Sequence, residues 1–488
     1  MLKLPESMEN NQALAANIIV YDVGSTYTKA AAFNLTDQQL VFLQRGQAPT
    51  TLHDVMIGVL SAQAQITAAG IIIADHVKRY ATCSAAGGLR MVALGYMPRV
   101  TAKAAKEVAM TAGARVMEVI SSEESAEYRE EVLREIRPDI ILLAGGTDGG
   151  DHESVMENVQ VIIRTRSRAK VIIACNREVQ GFAFQSLTEH GIDCLRVPNI
   201  MPNIHELNVK PAREAIHSLF IKQITNAKGL DQLTEILDDQ TVMPTPGAVL
   251  LANELLAQGT HEQEGVGSLI LIDLGGATTD IHSALPELDE LELEERGLII
   301  NNEKQFSYRT VEGNLGMRVS ATGILNSVGP LAIIRALPAQ APVITIQEIE
   351  EYCQELEVKT DRLPVNKKEQ AIDHALAACA ISVALRRHAG HLAQEADPLM
   401  GLAVGTAVGR DLRNAKSILA VGGIFTFATP SEKQAILQKA FADPGISLLP
   451  QHPSFFFDDH YLLYAMGALA RHYPEAALNF LKESIITR

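Results

Sequence analysis

The sequence is poor in cysteine and lacks long apolar runs, and each shortage excludes a class of protein. It has five cysteines at wide spacings and no C-x-x-C pair, which disfavours a disulfide framework or a zinc site. Reduced, mostly buried thiols in a cytoplasmic protein are expected instead. No stretch of 18 apolar residues occurs, so no membrane span is predicted. The polar, interrupted start also lacks the basic and apolar segments of a signal peptide.

Positive charge is also in short supply. The chain carries 42 Lys and Arg residues against 58 Asp and Glu residues, a net charge of −16. An acidic surface repels phosphate backbones, so no nucleic-acid partner is expected. A single nucleotide is not excluded, because one local nest of backbone N–H groups and a metal ion suffice to bind it.

The length and the order of the elements predict an α/β protein with several subdomains. At 488 residues, the chain is too long for one compact core. Its 47% hydrophobic composition is enough to bury a large core. Buried strands alternate with helical stretches. Residues 1–16 are expected to form a flexible lead-in. A helix is predicted over 123–136, started by a Ser121–Glu124 capping box, and another over 371–387.

An internal repeat is the most informative feature. Residues 18–33 read IIVYDVGSTYTKAAAF, and residues 269–284 read LILIDLGGATTDIHSA. Each copy is a strand, an aspartate, one apolar residue, glycine, a small polar turn and a returning strand. Because the copies lie about 250 residues apart, the repeat indicates a duplicated half and not a solenoid.

The first copy has the parts of a phosphate-binding hairpin. Gly24 allows close approach of the backbone, and Ser25 and Thr26 add hydroxyl donors to a nest of N–H groups. Asp22 stands at the strand end, where it can hold a magnesium-bound water or orient an attacking water. Lys29 follows closely and can reach a phosphate unless the returning strand points it outward.

The second copy supplies the same parts, so that two nests with one carboxylate each form a clamp around a polyphosphate and Mg²⁺. A lone Asp-x-Gly is usually only a turn, but two copies of matching length favour the phosphate interpretation. Its predicted binding residues are Asp273, Gly275, Gly276, Ala277, Thr278 and Thr279.

A third element follows the second copy. The apolar run before Gly422 and Gly423 predicts a strand ending in Gly-Gly. Such an end can let an adenosine lie flat against the backbone, although a Gly-Gly on its own is more often a plain strand-to-helix turn.

The order of the Asp22 hairpin, the Asp273 hairpin and Gly422-Gly423 resembles the phosphate-1, phosphate-2 and adenosine motifs of the actin, Hsp70 and sugar-kinase superfamily. The resemblance implies two ribonuclease-H-like domains that close over Mg-ATP. The expected boundaries are 17–245 for the first domain, with an inserted subdomain, and 246–488 for the second, with a peripheral insertion near 338–364.

A narrower resemblance covers nearly the whole chain. Residues 83–91 (CSAAGGLRM), 143–150 (LAGGTDGG), 244–246 (PTP) and 273–280 (DLGGATTD) are similar to segments of the methylaspartate (glutamate) mutase accessory family, called GlmL or MutL. This resemblance implies an ATP-dependent reactivating chaperone whose partners are the subunits of an adenosylcobalamin-dependent mutase.

The motifs do not identify the hydrolytic base or the role of two glycine-rich stretches. If Pro244-Thr245 matches the Pro-Thr of Hsp70 proteins, Met243 stands where they carry a glutamate, which predicts slow hydrolysis. Asn203, His205 or Glu206 could replace that base. The glycine-rich stretches 145–150 and 84–88, with Arg90 near the second, are equally consistent with ligand contacts and with plain loops.

Other motifs are missing, and two alternative functions remain. There is no P-loop sequence and no Asp-x-His-x-x-Gly of a base-off cobalamin subunit, so the chain is not expected to be the mutase itself. A small-molecule kinase of the same superfamily and an actin-like filament protein are the alternatives.

Overall fold

A computed structural model of the protein describes most of the chain. The residues described are 15–24, 27–51, 54–84, 90–95, 115–203, 208, 211–212, 214–216, 218–219, 229–285, 299–300, 307–396 and 403–486. Ser25, Thr26, His205 and Glu206, with residues 1–14 and 85–89, lie outside these ranges.

The strands of the described residues are short to medium in length and numbered in chain order. They are β1 Ala15–Val23, β2 Tyr27–Thr36, β3 Gln39–Pro49, β4 Ile72–Cys83, β5 Arg90–Gly95, β6 Arg115–Ser121, β7 Ile140–Leu143, β8 Lys170–Ile173, β9 Cys194–Arg196, β10 Val242–Pro244, β11 Leu269–Leu274, β12 Thr279–Ala284, β13 Ile299–Ile300, β14 Ser307–Glu312, β15 His391–Leu392, β16 Ala407–Val408, β17 Ser417–Gly422 and β18 Ser454–Phe457.

The helices are numbered in the same way. They are α1 Val55–Ala68, α2 Ala126–Ile136, α3 Glu153–Thr165, α4 Gln180–Glu189, α5 Leu230–Ile236, α6 Thr245–Gln258, α7 Ala321–Val328, α8 Pro330–Ala336, α9 Ile346–Val358, α10 Lys367–His388, α11 Gly423–Phe427, α12 Pro430–Phe441, α13 Leu463–Ala470 and α14 Pro474–Leu481, after which a π-helical turn covers Lys482–Ile486.

Two five-stranded sheets share one topology. The first has the order β10-β4-β1-β2-β3, and the second has the order β14-β12-β11-β17-β18. In both, the leading strand pairs antiparallel with the next one and parallel with the fourth strand of its set, which pairs parallel with the fifth. The third strand closes the other edge antiparallel. The predicted duplicated, ribonuclease-H-like α/β architecture is confirmed.

A third sheet is inserted between β4 and β10. Its order is β6-β5-β7-β8-β9, and all its strand pairs are parallel. Strand β7 is buried along its whole length, as expected for a parallel sheet covered by helices on both faces. The order corresponds to the doubly wound 2-1-3-4-5 arrangement. One face of the sheet packs with helices α2, α3 and α4 in a core of its own, and the other face belongs to the core of the first sheet.

A shared core joins the two repeated sheets. Ile18 and Val20 of β1 and Leu269 and Leu271 of β11 belong to one buried cluster together with helices α6, α13 and α14. Helices α6 and α13 cross within this cluster, where Gly467 lies directly against the backbone of Ala248. A side chain at position 467 would overlap that backbone, so the glycine sets how closely the helices approach.

Several boundaries differ from the sequence prediction. Strand β1 begins at Ala15, so Ala15 and Ala16 belong to the strand and not to the lead-in. Helix α2 begins at Ala126 because Ser125 caps it by accepting from the Tyr128 amide, whereas Ser121 accepts from Glu123 in a turn before it. Helix α10 runs slightly further than expected at both ends. Between 338 and 364, the region expected to be a peripheral insertion, the main element is helix α9.

The cysteines and the helix lengths bear on two further predictions. All five cysteines are free, and four of them are buried. Among the described residues, no helix is both long and apolar enough to cross a membrane.

The crossing of α6 and α13 predicts a stability effect. Gly467→Ala places a methyl group into the Ala248 backbone, and we expect it to lower the free energy of unfolding by about 2 kcal/mol. Gly181→Ala is the matched control, because the same change in α4 meets no atom within 4 Å and should raise stability by up to about 1 kcal/mol. Urea unfolding measures both, and equal midpoints for the two variants would contradict the assigned role of Gly467.

Candidate nucleotide site

The alternation of the strands turns the functional side chains toward the shared core. Asp22 lies on the face of β1 that carries Ile18 and Val20, and Asp273 lies on the face of β11 that carries Leu269 and Leu271. Both aspartates stand near the carboxyl ends of their strands. The duplicated sheets therefore present one carboxylate each to the same side.

Asp22 is almost fully buried and has three side-chain partners. Its Oδ1 accepts hydrogen bonds from the hydroxyls of Thr82 at 2.9 Å and Thr245 at 2.6 Å. Its Oδ2 lies 2.9 Å from the ammonium of Lys29. Lys29 stands directly opposite Asp22 on β2, so its side chain lies on the same inward face as Asp22. The three partners fix the orientation of the carboxylate.

Asp273 has a different environment. The residue directly opposite it on the returning strand is Asp280, a second carboxylate. Arg309 donates from Nε to Oδ1 of Asp280 at 2.8 Å, and its Nη2 makes a second, shorter contact with the same oxygen. Burial, and then the negative charge of Asp280, raise the pKa of Asp273 to about 7, against a lowering effect of Lys29.

The two turns have the same hydrogen-bonded geometry. The amide of Gly24 donates to the carbonyl of Tyr27 at 3.1 Å, and the amide of Gly275 donates to the carbonyl of Thr278 at 2.9 Å. A Cβ at position 24 would come within 2.5 Å of the Tyr27 oxygen, so only glycine fits there. The two glycines stand at equivalent positions of the repeat.

The second turn leaves amides unpaired. The carbonyls of Gly275 and Gly276 accept from the amides of 317–319, and that of Ala277 accepts from the Ser320 hydroxyl. No partner occurs among the described residues for the amides of Gly276, Ala277 and Thr278. Consecutive free N–H groups in a turn are what an anion nest requires.

Tyr461, in the loop between β18 and α13, connects the two hairpins. The ammonium of Lys29 lies 4.1 Å from the centre of its ring, and its hydroxyl lies 3.5 Å from Oδ1 of Asp273. We call Asp22, Lys29, Asp273, Asp280, Arg309 and Tyr461 the carboxylate site.

The Gly-Gly element lies at the same edge of the second sheet. Gly422 pairs with Leu274, directly before the second turn, and a side chain there would overlap the Leu274 carbonyl. Its φ of 146° also favours glycine. Gly423 is exposed, and a Cβ there would meet no atom within 4 Å.

Not every predicted residue is brought together. Thr278 donates to Asp280 at 2.9 Å, but Thr279 is buried on the opposite face of β12 and donates to the Leu315 carbonyl at 2.6 Å. Met243 is buried in β10 beside Thr82 and offers no base. Asn203 follows β9 of the inserted sheet.

The glycine-rich loop 145–150 is held by internal bonds. Asn176 accepts from the Gly149 amide at 3.2 Å, and Asn199 donates to the Gly146 carbonyl at 3.0 Å and to Asp148 at 2.9 Å. The loop follows β7 of the inserted sheet. Of the segment 84–88, only Ser84 is described; its amide donates to the Val23 carbonyl beside the first hairpin.

The sequence prediction missed several residues of the site. Thr82 lies one residue before the segment 83–91 and was not singled out. Thr245 is part of the Pro-Thr-Pro segment 244–246, and that motif was the signal that could have identified it. Asp280 ends the segment 273–280, but the sequence pattern gave it no role. Arg309 and Tyr461 carried no recognisable signal, because only the folded sheet and the β18–α13 loop bring them to the hairpins.

The donor set fits a hard cation bound together with a ligand. Among the described residues there is no group of three or more His, Cys, Asp or Glu side chains that could hold a metal alone. Mg²⁺ typically takes one or two carboxylates, several waters and substrate phosphates. Asp22 and Asp273 offer that number of carboxylates.

Comparison with known proteins finds matches over nearly the whole length of the chain. A family model described as MutL protein matches residues 18–485. Protein MutL of Clostridium tetanomorphum is 35% identical over 473 residues, which are 96% of this chain and 99% of that protein.

Two solved structures are similar over most of the chain at low identity. Glycerol dehydratase reactivase aligns with 93% of this chain and 99% of its own, at 11% identity and a TM-score of 0.34. Xylulose kinase from Bifidobacterium adolescentis aligns with 95% of this chain and 92% of its own, at 11% identity and a TM-score of 0.30. Since the family model and the Clostridium relative both span nearly the whole chain, the chain belongs to the MutL family, the methylaspartate (glutamate) mutase accessory family indicated by its motifs.

Proposed function

We propose that this protein binds Mg-ATP, hydrolyses it slowly, and uses the cycle to reactivate an adenosylcobalamin-dependent mutase of the glutamate type. The observation that carries the proposal is the meeting of two equivalent Asp-Gly hairpins at the carboxylate site. Each hairpin adds one carboxylate, buried at Asp22 and partly buried at Asp273, and one tight glycine turn to the same side of the shared core.

Different residues of the site would bind the phosphates, the Mg²⁺ ion and the adenosine. The free amides of the second turn, together with Ser25 and Thr26 of the first, would cradle the phosphates, and Lys29 would balance their charge. Asp22 and Asp273 would hold Mg²⁺ through its waters, and this ion neutralises charge on the β- and γ-phosphates when bound. The open surface above Gly423 would take the adenosine.

Slow turnover is expected from what surrounds the site. Met243 cannot accept a proton, and Asp280 is neutralised by Arg309. Hydrolysis then depends on Asp22 and Asp273 orienting a water molecule, with no dedicated base in the described residues. A slow hydrolysis step suits a switch whose two states must each last long enough to act on a partner.

The names of the relatives support the partner. One is a MutL protein, and another is called a glycerol dehydratase reactivase. A chaperone needs only to prefer one conformation of its client, and a preference of about 3 kcal/mol shifts a two-state equilibrium more than a hundredfold. ATP hydrolysis would make the cycle directional, so that the mutase is released after its damaged cobalamin has been exchanged.

The hairpin aspartates provide the first test of this function. We expect the wild type to bind Mg-ATP at one site in calorimetry, and Asp22→Asn or Asp273→Asn to abolish hydrolysis while the fold is retained, because each loses a charged magnesium ligand. Asp193→Asn, an exposed aspartate of the inserted sheet, is the control and should keep wild-type turnover. Failure to bind millimolar nucleotide, or near-normal hydrolysis in a folded double variant, would refute the proposal.

The raised pKa of Asp273 predicts how stability changes with pH. Its pKa is about 7 in the folded protein against an ordinary 3.8, so between these values the folded chain keeps a proton that the unfolded chain releases. Stability from this group therefore falls as pH rises from about 4 to about 7 and then stays level. Asp273→Asn removes this loss.

Unfolding free energies of the two chains should thus diverge with pH. The free energy of unfolding of Asp273→Asn, relative to that of the wild type, should increase by roughly 2 to 4 kcal/mol between pH 4 and pH 7.5. Asp458, whose pKa burial raises to about 6, is present in both chains and cancels. Urea titrations without nucleotide or metal make the comparison, and a difference independent of pH would show that Asp273 ionises normally.

The partner is tested by reactivation. A glutamate mutase inactivated by turnover should regain activity when this protein, Mg-ATP and fresh adenosylcobalamin are all added, and should not regain it with Asp273→Asn. Equal recovery without ATP would disprove the nucleotide-driven cycle. If no cobalamin mutase responds to a preparation that hydrolyses ATP, the partner assignment is wrong.

A further inference from the structure

Beyond the two hairpins, one side chain touches both halves of the carboxylate site. We propose that Tyr461 is a positioning residue for ATP hydrolysis, whose ring holds Lys29 against Asp22 and whose hydroxyl orients Asp273. The inference rests on the proposed function, since it assigns a role within the same site.

The ring and Asp22 hold Lys29 from two sides. The ammonium is 2.9 Å from Oδ2 of Asp22 and 4.1 Å from the centre of the Tyr461 ring. An ammonium within about 6 Å of an aromatic face is attracted by it, and more strongly where water is excluded. Lysine has a long flexible stem, and the Tyr461 ring restricts its ammonium more closely than the Tyr464 ring does, whose centre lies 5.9 Å away.

The hydroxyl acts on the other half of the site. Tyr461 donates to Oδ1 of Asp273 over 3.5 Å, which is longer than an ordinary O–H···O bond by roughly 0.7 Å. The proposed role requires that this contact shortens when Mg-ATP is bound.

The loop that carries Tyr461 is fixed from both sides. Asp458 accepts from the amides of Leu462 at 2.5 Å and Leu463 at 2.8 Å, at the start of α13. On the other side, Arg45 of β3 donates to the carbonyl of His460 at 2.7 Å. The first sheet and helix α13 thus both hold the segment between them.

The backbone of Tyr461 is also unusual. Its φ is 57°, in the left-handed region that tyrosine rarely adopts. A conformation of this kind costs about 1 kcal/mol or more and persists only where surrounding contacts fix it. Here the Asp458 and Arg45 contacts fix it, and the result is a ring that lies over Lys29 while the hydroxyl reaches Asp273.

Two substitutions separate the ring from the hydroxyl. Tyr461→Phe keeps the face under Lys29 and removes the bond to Asp273; we expect Mg-ATP affinity within about twofold of the wild type and single-turnover hydrolysis about tenfold slower. Tyr461→Leu removes both contacts, and its affinity should also weaken by about tenfold. Restored affinity in the phenylalanine variant is a result that a merely structural role would not give.

A neighbouring tyrosine provides the matched control. The hydroxyl of Tyr464 is buried and has no hydrogen-bond partner in the described part of the chain. Tyr464→Phe also keeps the ring, whose centre lies 5.9 Å from the Lys29 ammonium, and should therefore leave affinity and hydrolysis unchanged. Calorimetry gives the affinities, rapid-quench measurements give the rates, and thermal unfolding verifies that each variant is folded.

The outcomes distinguish the inference from the function it rests on. If the wild type binds no Mg-ATP, the nucleotide site and the role of Tyr461 both fall. If the wild type binds and hydrolyses ATP but Tyr461→Phe matches it in rate, Tyr461 does not orient Asp273. Equal affinity of folded Tyr461→Leu and the wild type would show that the ring does not position Lys29.

Discussion

The structure depends on holding one buried and one partly buried carboxylate, Asp22 and Asp273, where two sheets meet. A carboxylate removed from water is costly unless opposite charge or hydrogen bonds compensate it. Asp22 is compensated by Lys29 and by two threonine hydroxyls. Asp273 has less compensation, which is why its pKa is raised to about 7. The second half of the site therefore holds a carboxylate that gains from a cation.

The asymmetry arises from one position of an otherwise symmetric repeat. Lys29 stands opposite Asp22, and Asp280 stands opposite Asp273, at the same register of the two hairpins. One copy thus has a built-in cation and the other a second anion, whose charge Arg309 balances from the neighbouring strand. Duplication gave the two halves the same backbone geometry, and the side chain at this register gives them different charge.

The sequence predicted the parts of the fold that repeat locally. Strand, aspartate and glycine spacing identified both hairpins, and the structure adds that Asp22 and Asp273 both face the shared core. The spacing could not predict Arg309 or Tyr461, because each reaches the site only through long-range pairing. The start of α2 was missed because Ser121 and Ser125 both offer a hydroxyl, and it is the second that caps the helix.

The position of the inserted sheet gives it a short physical connection to the carboxylate site. The chain leaves the first sheet after β4 and returns to it through β10, so the insertion lies between these two strands. Thr82, near the end of β4, and Thr245, directly after β10, both donate to the same oxygen of Asp22. A displacement of the insertion that moves either strand end changes a hydrogen bond to this carboxylate. A ligand at Asp22 and a displacement of the inserted sheet would therefore act on the same two strand ends, which is the arrangement that the proposed coupling requires.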